Sequence, residues 1–163
     1  MEKITECTDN NHTKTATRPK YVYPYRVSVV REHTDRYTRI DSSRTLNEVA
    51  KELLADAATE RFLVFFLDSK NKILGFNEAS VGSLNISIVN PRDTYRAAVI
   101  KGANAVVFAH NHPSGDITPS REDNESTKRL VESGKILGIR VLDSIIVGHD
   151  GYYSFADAGL IEH

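Results

Sequence analysis

His110 and His112, one residue apart, and Ser120 and Asp123, two residues apart, are the side chains whose types and spacing could do chemistry. All four lie within Ala105 to Asp123, which reads AVVFAHNHPSGDITPSRED. Ala105 to Ala109 is a short, Val-rich apolar run, the pattern of a strand buried on both faces. Strand side chains alternate, so extended backbone carried just past this run points both imidazoles to one side. Pro113 to Asp116 then turns the chain. Ser120 stands where a helix N-cap belongs and Asp123 falls in the first turn, where free amide groups and the helix dipole favour a carboxylate. Two histidines and an aspartate leave a fourth position for water. That is the open arrangement of a catalytic zinc site, whereas a structural site fills every position with protein ligands. The chain has one cysteine, Cys7, far from this stretch, which argues further against structural zinc. Ser120 would add a hydroxyl able to stabilise an anion.

A plainer reading fits the same residues. Ser-x-x-Asp ahead of a helix is a common capping arrangement that needs no metal, and a histidine pair can simply close a loop at a strand end.

The elements around this stretch follow from local pattern. Thr45-Leu-Asn-Glu48 has the form of a capping box, and Leu46, Val49, Ala50, Leu53 and Leu54 follow at helical spacing. Arg61 to Asp68, RFLVFFLD, is a core-like strand. Ser69 to Lys72 is its polar turn into Ile73 to Ser80, which makes a hairpin. Asn90-Pro91 starts a helix that ends at Gly102. After Ser120 a helix runs to about Ile136, with Gly134 or Gly138 near its end, then a strand over Ile139 to Val147, a turn at Gly148 to Gly151, and Tyr152 to Phe155. This order predicts an α/β protein, a mixed β-sheet sandwiched by helices.

These residues resemble the JAMM motif of the JAB/MPN metalloprotease superfamily: His-x-His, seven residues, Ser, two residues, Asp. The wider context, AHNHPSGDITPSREDNESTKRL followed by LGIRVLDSIIVG, is similar to the RadC-like branch over roughly Arg61 to Ile161. The resemblance implies a cytidine-deaminase-like fold, zinc (Zn2+) bound by His110, His112 and Asp123, and Ser120 as oxyanion donor. It also calls for a glutamate from an upstream strand, matched to Glu78 in ILGFNEASVGSLN as the catalytic base. Without the resemblance, Glu78 reads as an ordinary exposed glutamate. The chain departs from the RadC-like pattern where Leu-Asp-His becomes Leu142-Asp143-Ser144, His-Pro-Arg becomes Asn90-Pro91-Arg92, and Gly-Thr becomes Gly82-Ser83.

The organisation expected is a disordered polar tail over 1–20, a strand and helix extension over 21–60, and a metal-binding domain over 61–161. With 21 basic and 22 acidic residues, overall charge makes no case for nucleic acid. Lys14 to Arg44 does carry eight basic residues against three acids, interleaved with tyrosines. Such a stretch can contact phosphates and stack bases, although a solvated face is the commoner use. A single cysteine fits a reducing compartment, and no signal peptide or membrane span is evident, so a cytoplasmic protein is expected. The function expected is a zinc metallopeptidase acting on a protein or peptide substrate. The alternatives are a DNA-associated factor using the basic segment and a non-catalytic interaction module.

Overall fold

The computed structural model describes residues 39–54, 57–81 and 89–162. The expected tail, the strand expected in the 21–60 extension, most of the basic segment and the Gly82-Ser83 pair lie outside these residues. Among the described residues three helices and five strands follow in the order α1 (Ser43–Leu54), β1 (Arg61–Leu67), β2 (Ile73–Val81), α2 (Pro91–Lys101), β3 (Ala105–Asn111), α3 (Arg121–Leu137), β4 (Arg140–Val147) and β5 (Tyr152–Ser154). The sheet runs β2-β1-β3-β4-β5. Its β3–β4 pair is parallel and the other neighbours are antiparallel, so the sheet is mixed. A parallel pair needs a crossover, and the loop after β3 together with α3 supplies it.

Helices cover both faces, which explains why β1 and β3 read as unbroken apolar runs. On one face, Phe62, Val64, Phe66, Val106, Phe108 and Ile146 form a core with Tyr95 and Ala98 of α2 and Leu130 of α3. On the other, Leu63, Phe65, Leu67, Val107, Ala109 and Ile145 pack on Leu46, Ala50 and Leu54 of α1. The β1–β2 turn is closed by the Asp68 side chain, whose Oδ1 accepts from the amides of Lys70 (2.7 Å) and Lys72 (2.9 Å). Asn71 takes the left-handed conformation there, which asparagine tolerates well.

Helix α1 is capped three residues before the expected position. Ser42 Oγ accepts from the Thr45 amide (3.2 Å), so Ser42 is the cap and Thr45 lies inside the first turn. Helix α2 begins as expected, with the Asn90 side chain accepting from the Arg92 amide and Pro91 at the first helical position. Helix α3 buries Asp123, Thr127, Leu130 and Gly134, a single stripe at helical spacing. The packing that seats this helix therefore also turns Asp123 inward.

At Gly134 the α3 backbone packs close against its neighbours. A Cβ there would lie 2.5 Å from the Ile139 carbonyl oxygen and 2.6 Å from the Tyr95 hydroxyl, which itself donates to the Leu130 carbonyl at 2.8 Å. Gly134→Ala is expected to lose about 1–2 kcal/mol in a urea melt. Overpacking costs roughly 1–3 kcal/mol, and helix propensity returns at most about 1 kcal/mol. Stability at or above wild type would mean that α3 can shift at no cost.

Candidate metal centre

β3 continues through Asn111, so the extended backbone does carry past the apolar run. His110 lies opposite Phe62 of β1 and faces the α2/α3 side, its ring stacked on that of Phe62 at 6.0 Å. His112 follows the last strand residue and also turns toward α3. His110 Nε2 and His112 Nε2 approach to 3.3 Å. Asp123, from the first turn of α3, completes the group: Oδ1 is 3.2 Å from His110 Nε2 and Oδ2 is 3.4 Å from His112 Nε2. His110 and Asp123 are buried, at 2 % and 4 % exposure, and the His112 side chain keeps 16 %.

Two imidazole nitrogens and a carboxylate converging in this way fit one small cation. Donors about 2.0–2.1 Å from a tetrahedral zinc lie about 3.3 Å from one another; the two Nε2 atoms stand at that separation, and the carboxylate offers a different oxygen to each, Oδ1 to His110 and Oδ2 to His112. The electrostatics agree with the geometry. Burial alone would push the Asp123 carboxyl up, but hydrogen bonding to His110, His112 and Ser120 outweighs it and holds the group well below the usual carboxylate range. The Asp123 carboxylate in turn raises the His112 pKa against the opposing effect of burial.

The two histidines are oriented by different means. His110 is held by packing, and its buried Nδ1 has no hydrogen-bond partner among the described residues. His112 Nδ1–H donates to the Asp116 carbonyl at 2.7 Å. That bond fixes a hydrogen on Nδ1, so Nε2 is the nitrogen that would give up its hydrogen to hold a metal, the arrangement in which an outer partner sets the tautomer.

A second carboxylate joins the group. Glu60, half-buried just ahead of β1, has an oxygen within 4.8 Å of the donor atoms of His110, His112 and Asp123. β1 runs antiparallel to β3, so its first residues lie beside the end of β3. Asn111, between the two histidines, fastens them there. Its Oδ1 accepts from the Arg61 amide (2.9 Å) and its Nδ2 donates to the Thr59 carbonyl (3.1 Å), bracketing Glu60 on both sides.

Residues 40–160 match the family described as the RadC-like JAB domain. The chain belongs to the RadC-like JAB domain family. A UPF0758 protein of Trichlorobacter lovleyi is 55% identical over 108 residues, 66% of this chain and 47% of that protein. Another, from Syntrophotalea carbinolica, is 50% identical over 127 residues, 78% of this chain and 55% of its own length. The chain spans about half the length of the curated relatives it matches.

In this RadC-like JAB domain the structure brings together His110, His112, Ser120 and Asp123 but leaves Glu78 apart. Glu78 lies opposite Leu63, whose side chain is in the α1-side core, whereas His110 lies opposite Phe62 on the other face. Both Glu78 oxygens are taken by Arg61, Oε1 by Nε at 2.8 Å and Oε2 by Nη2. That pairing holds the Glu78 carboxyl below its ordinary range. Glu60 is the carboxylate that stands beside the histidines and Asp123, and the sequence reading did not name it.

Ser120 is exposed and caps α3. Its Oγ accepts from the Asp123 amide (3.1 Å) and donates to Asp123 Oδ2 (2.6 Å). The capping reading of Ser120 and Asp123 is therefore correct, and it coexists with the metal-site geometry. Ser144 is buried on the His110 side, its Oγ 3.4 Å from Thr127 Oγ1, one helical turn beyond Asp123. Its neighbour Asp143 accepts from the Ser144 amide, the Ser154 hydroxyl and the Ala156 amide, and so ties β4 to the segment after β5. Arg39 and Arg44 are the described arginines of the basic segment; Arg44 pairs with Glu48 and Arg39 bridges to Lys72 through the backbone. Among the described residues no helix is long and apolar enough to cross a membrane.

Proposed function

We propose that this RadC-like JAB domain is a zinc-dependent hydrolase of the JAMM type that cleaves an amide bond in a peptide or isopeptide. The observation that carries this reading is the convergence of His110 Nε2, His112 Nε2 and the Asp123 carboxylate at mutual distances of 3.2–3.4 Å, with a second carboxylate alongside. Zinc held by these three residues would supply Lewis acidity, lowering the pKa of water to about 7 and so making it a nucleophile at neutral pH.

The remaining work belongs to the chain. Glu60 is the base in this reading: its carboxylate accepts the proton of the attacking water and passes it to the leaving amine nitrogen. The Asn111 bracket supports that role, because a base must be held at fixed reach. Ser120 Oγ donates to the oxygen of the attacked carbonyl as charge develops there. Its hydrogen rests on Asp123 Oδ2, so donation requires the hydroxyl to rotate toward substrate. Asp123 keeps the Ser120 amide as a donor when it does so, at 2.8 Å.

The test is hydrolysis of a panel of peptides and isopeptide-linked conjugates by zinc-loaded protein. Cleavage that stops with chelator and returns with added zinc is the expected result. Zinc-loaded protein that cleaves none of the panel would count against the hydrolase reading.

A further inference from the structure

We propose that the turn between β4 and β5 is a positioning device for the metal centre: Gly148 and His149 seat the loop whose Asp116 carbonyl orients His112, and so set how tightly zinc is held. The inference rests on the zinc-site reading above.

His112 depends on its loop in a way that His110 does not. The stretch from His112 to Ser120 has no regular secondary structure, and its internal bonds are local. The Gly115 amide donates to the His112 carbonyl at 2.8 Å, and the Thr118 amide donates to Asp116 Oδ1 at 2.9 Å. The Asp116 carbonyl meets His112 Nδ1 only if the Gly115–Ile117 segment sits where it does.

That segment is wedged against the turn. A Cβ on Gly148 would lie 2.5 Å from Ile117 Cγ2 and 2.7 Å from the Gly115 carbonyl oxygen, so bare backbone touches the residues on both sides of Asp116. A Cβ on Gly115 would lie 2.5 Å from His149 Nδ1, which places the imidazole over the Gly115 Cα. The turn is itself anchored. The Gly148 amide donates to the Gly151 carbonyl at 2.9 Å, β4 and β5 pair at Val147 and Tyr152, and Lys51 Nζ of α1 donates to the His149 carbonyl at 2.7 Å. Contact thus runs from α1 and the sheet, through Gly148 and His149, to the Asp116 peptide and His112.

The two glycines of the turn provide a matched comparison. Neither Gly148 nor Gly151 has positive φ, so alanine at either adds no backbone strain. At Gly151 a Cβ would meet only Ile117 Cδ1, at 3.8 Å. Gly115 is less useful, because its φ of 78° strains any other residue there.

The experiment measures zinc affinity of the full chain by competition with a chromophoric chelator, together with the melting temperature of metal-free protein. Gly148→Ala is expected to weaken zinc binding about 10- to 100-fold, the usual effect of disturbing an outer-shell partner. Gly151→Ala is expected to match wild type within about twofold, as for a neutral substitution. His149→Ala, which removes the ring and adds no volume, is expected to weaken binding in the same direction, and it decides the matter should Gly148→Ala not fold. Cobalt substituted for zinc should show a changed visible spectrum in Gly148→Ala and the wild-type spectrum in Gly151→Ala. Wild-type zinc affinity in both Gly148→Ala and His149→Ala, with only the melting temperature lowered, would reduce the turn to a structural role. Wild-type protein that takes up no zinc would instead overturn the metal reading, and this inference with it.

Discussion

Glu60→Gln is expected to bind metal like the wild type and to lose about 10² to 10⁴ in turnover, the contribution of a positioned general acid–base group. Glu78→Gln is expected to leave turnover nearly unchanged and to cost at most about 1 kcal/mol of stability, the upper range for a partly exposed ion pair. The contrast follows from placement. The Glu60 carboxylate shares a 4.8 Å group with both histidines and Asp123, whereas both oxygens of Glu78 are held by Arg61 on the α1 side of the sheet. Glutamine keeps the size and polarity of either side chain but cannot take a proton at neutral pH. The measurement is steady-state hydrolysis of a cleavable substrate, with metal content determined on the same samples. Normal turnover in Glu60→Gln with a large loss in Glu78→Gln would return the base to Glu78 and require the Arg61 pair to open during catalysis.

That contrast also marks where sequence stops being informative. The meeting of the histidines, Ser120 and Asp123 in space was legible because they lie close along one strand, one loop and one helix start, where periodicity and capping chemistry decide geometry. The hairpin and the start of α2 were legible for the same local reason. Glu60 was not. Its place at the site depends on β1 lying antiparallel beside β3 with Phe62 opposite His110, a pairing between segments far apart in the chain. The signal available was a carboxylate immediately ahead of a strongly apolar strand, and it carries meaning only once that strand is known to neighbour the histidines. The match to Glu78 placed a carboxylate late in a strand of that hairpin, where strand alternation sets it on the face opposite His110. The start of α1 was misjudged on a smaller scale, because Ser42 and Thr45 are both acceptable caps and only the observed Ser42 bond separates them.

Asp123→Asn is expected to abolish metal binding while leaving the fold intact, taking zinc from about one ion per chain to near none by mass spectrometry. The protein would be purified without chelator or affinity nickel. Alanine at this position confounds two effects, because Asp123 also serves the cap of α3. Its Oδ2 accepts from the Ser120 amide at 2.8 Å, and loss of a cap alone costs about 0.5–2 kcal/mol. Asparagine retains an oxygen for that amide and nearly the same volume at a buried position. It does not retain the charge. It also turns one of the two oxygens facing His110 Nε2 and His112 Nε2 into an NH₂ donor aimed at the nitrogen that must stay bare for a metal. His112→Ala is expected to lose zinc as well, with the Ser120–Asp123 cap untouched. An Asp123→Asn protein that melts like metal-free wild type and binds no zinc would separate the two duties of this carboxylate. Undiminished zinc binding would leave capping as the whole of what Asp123 does.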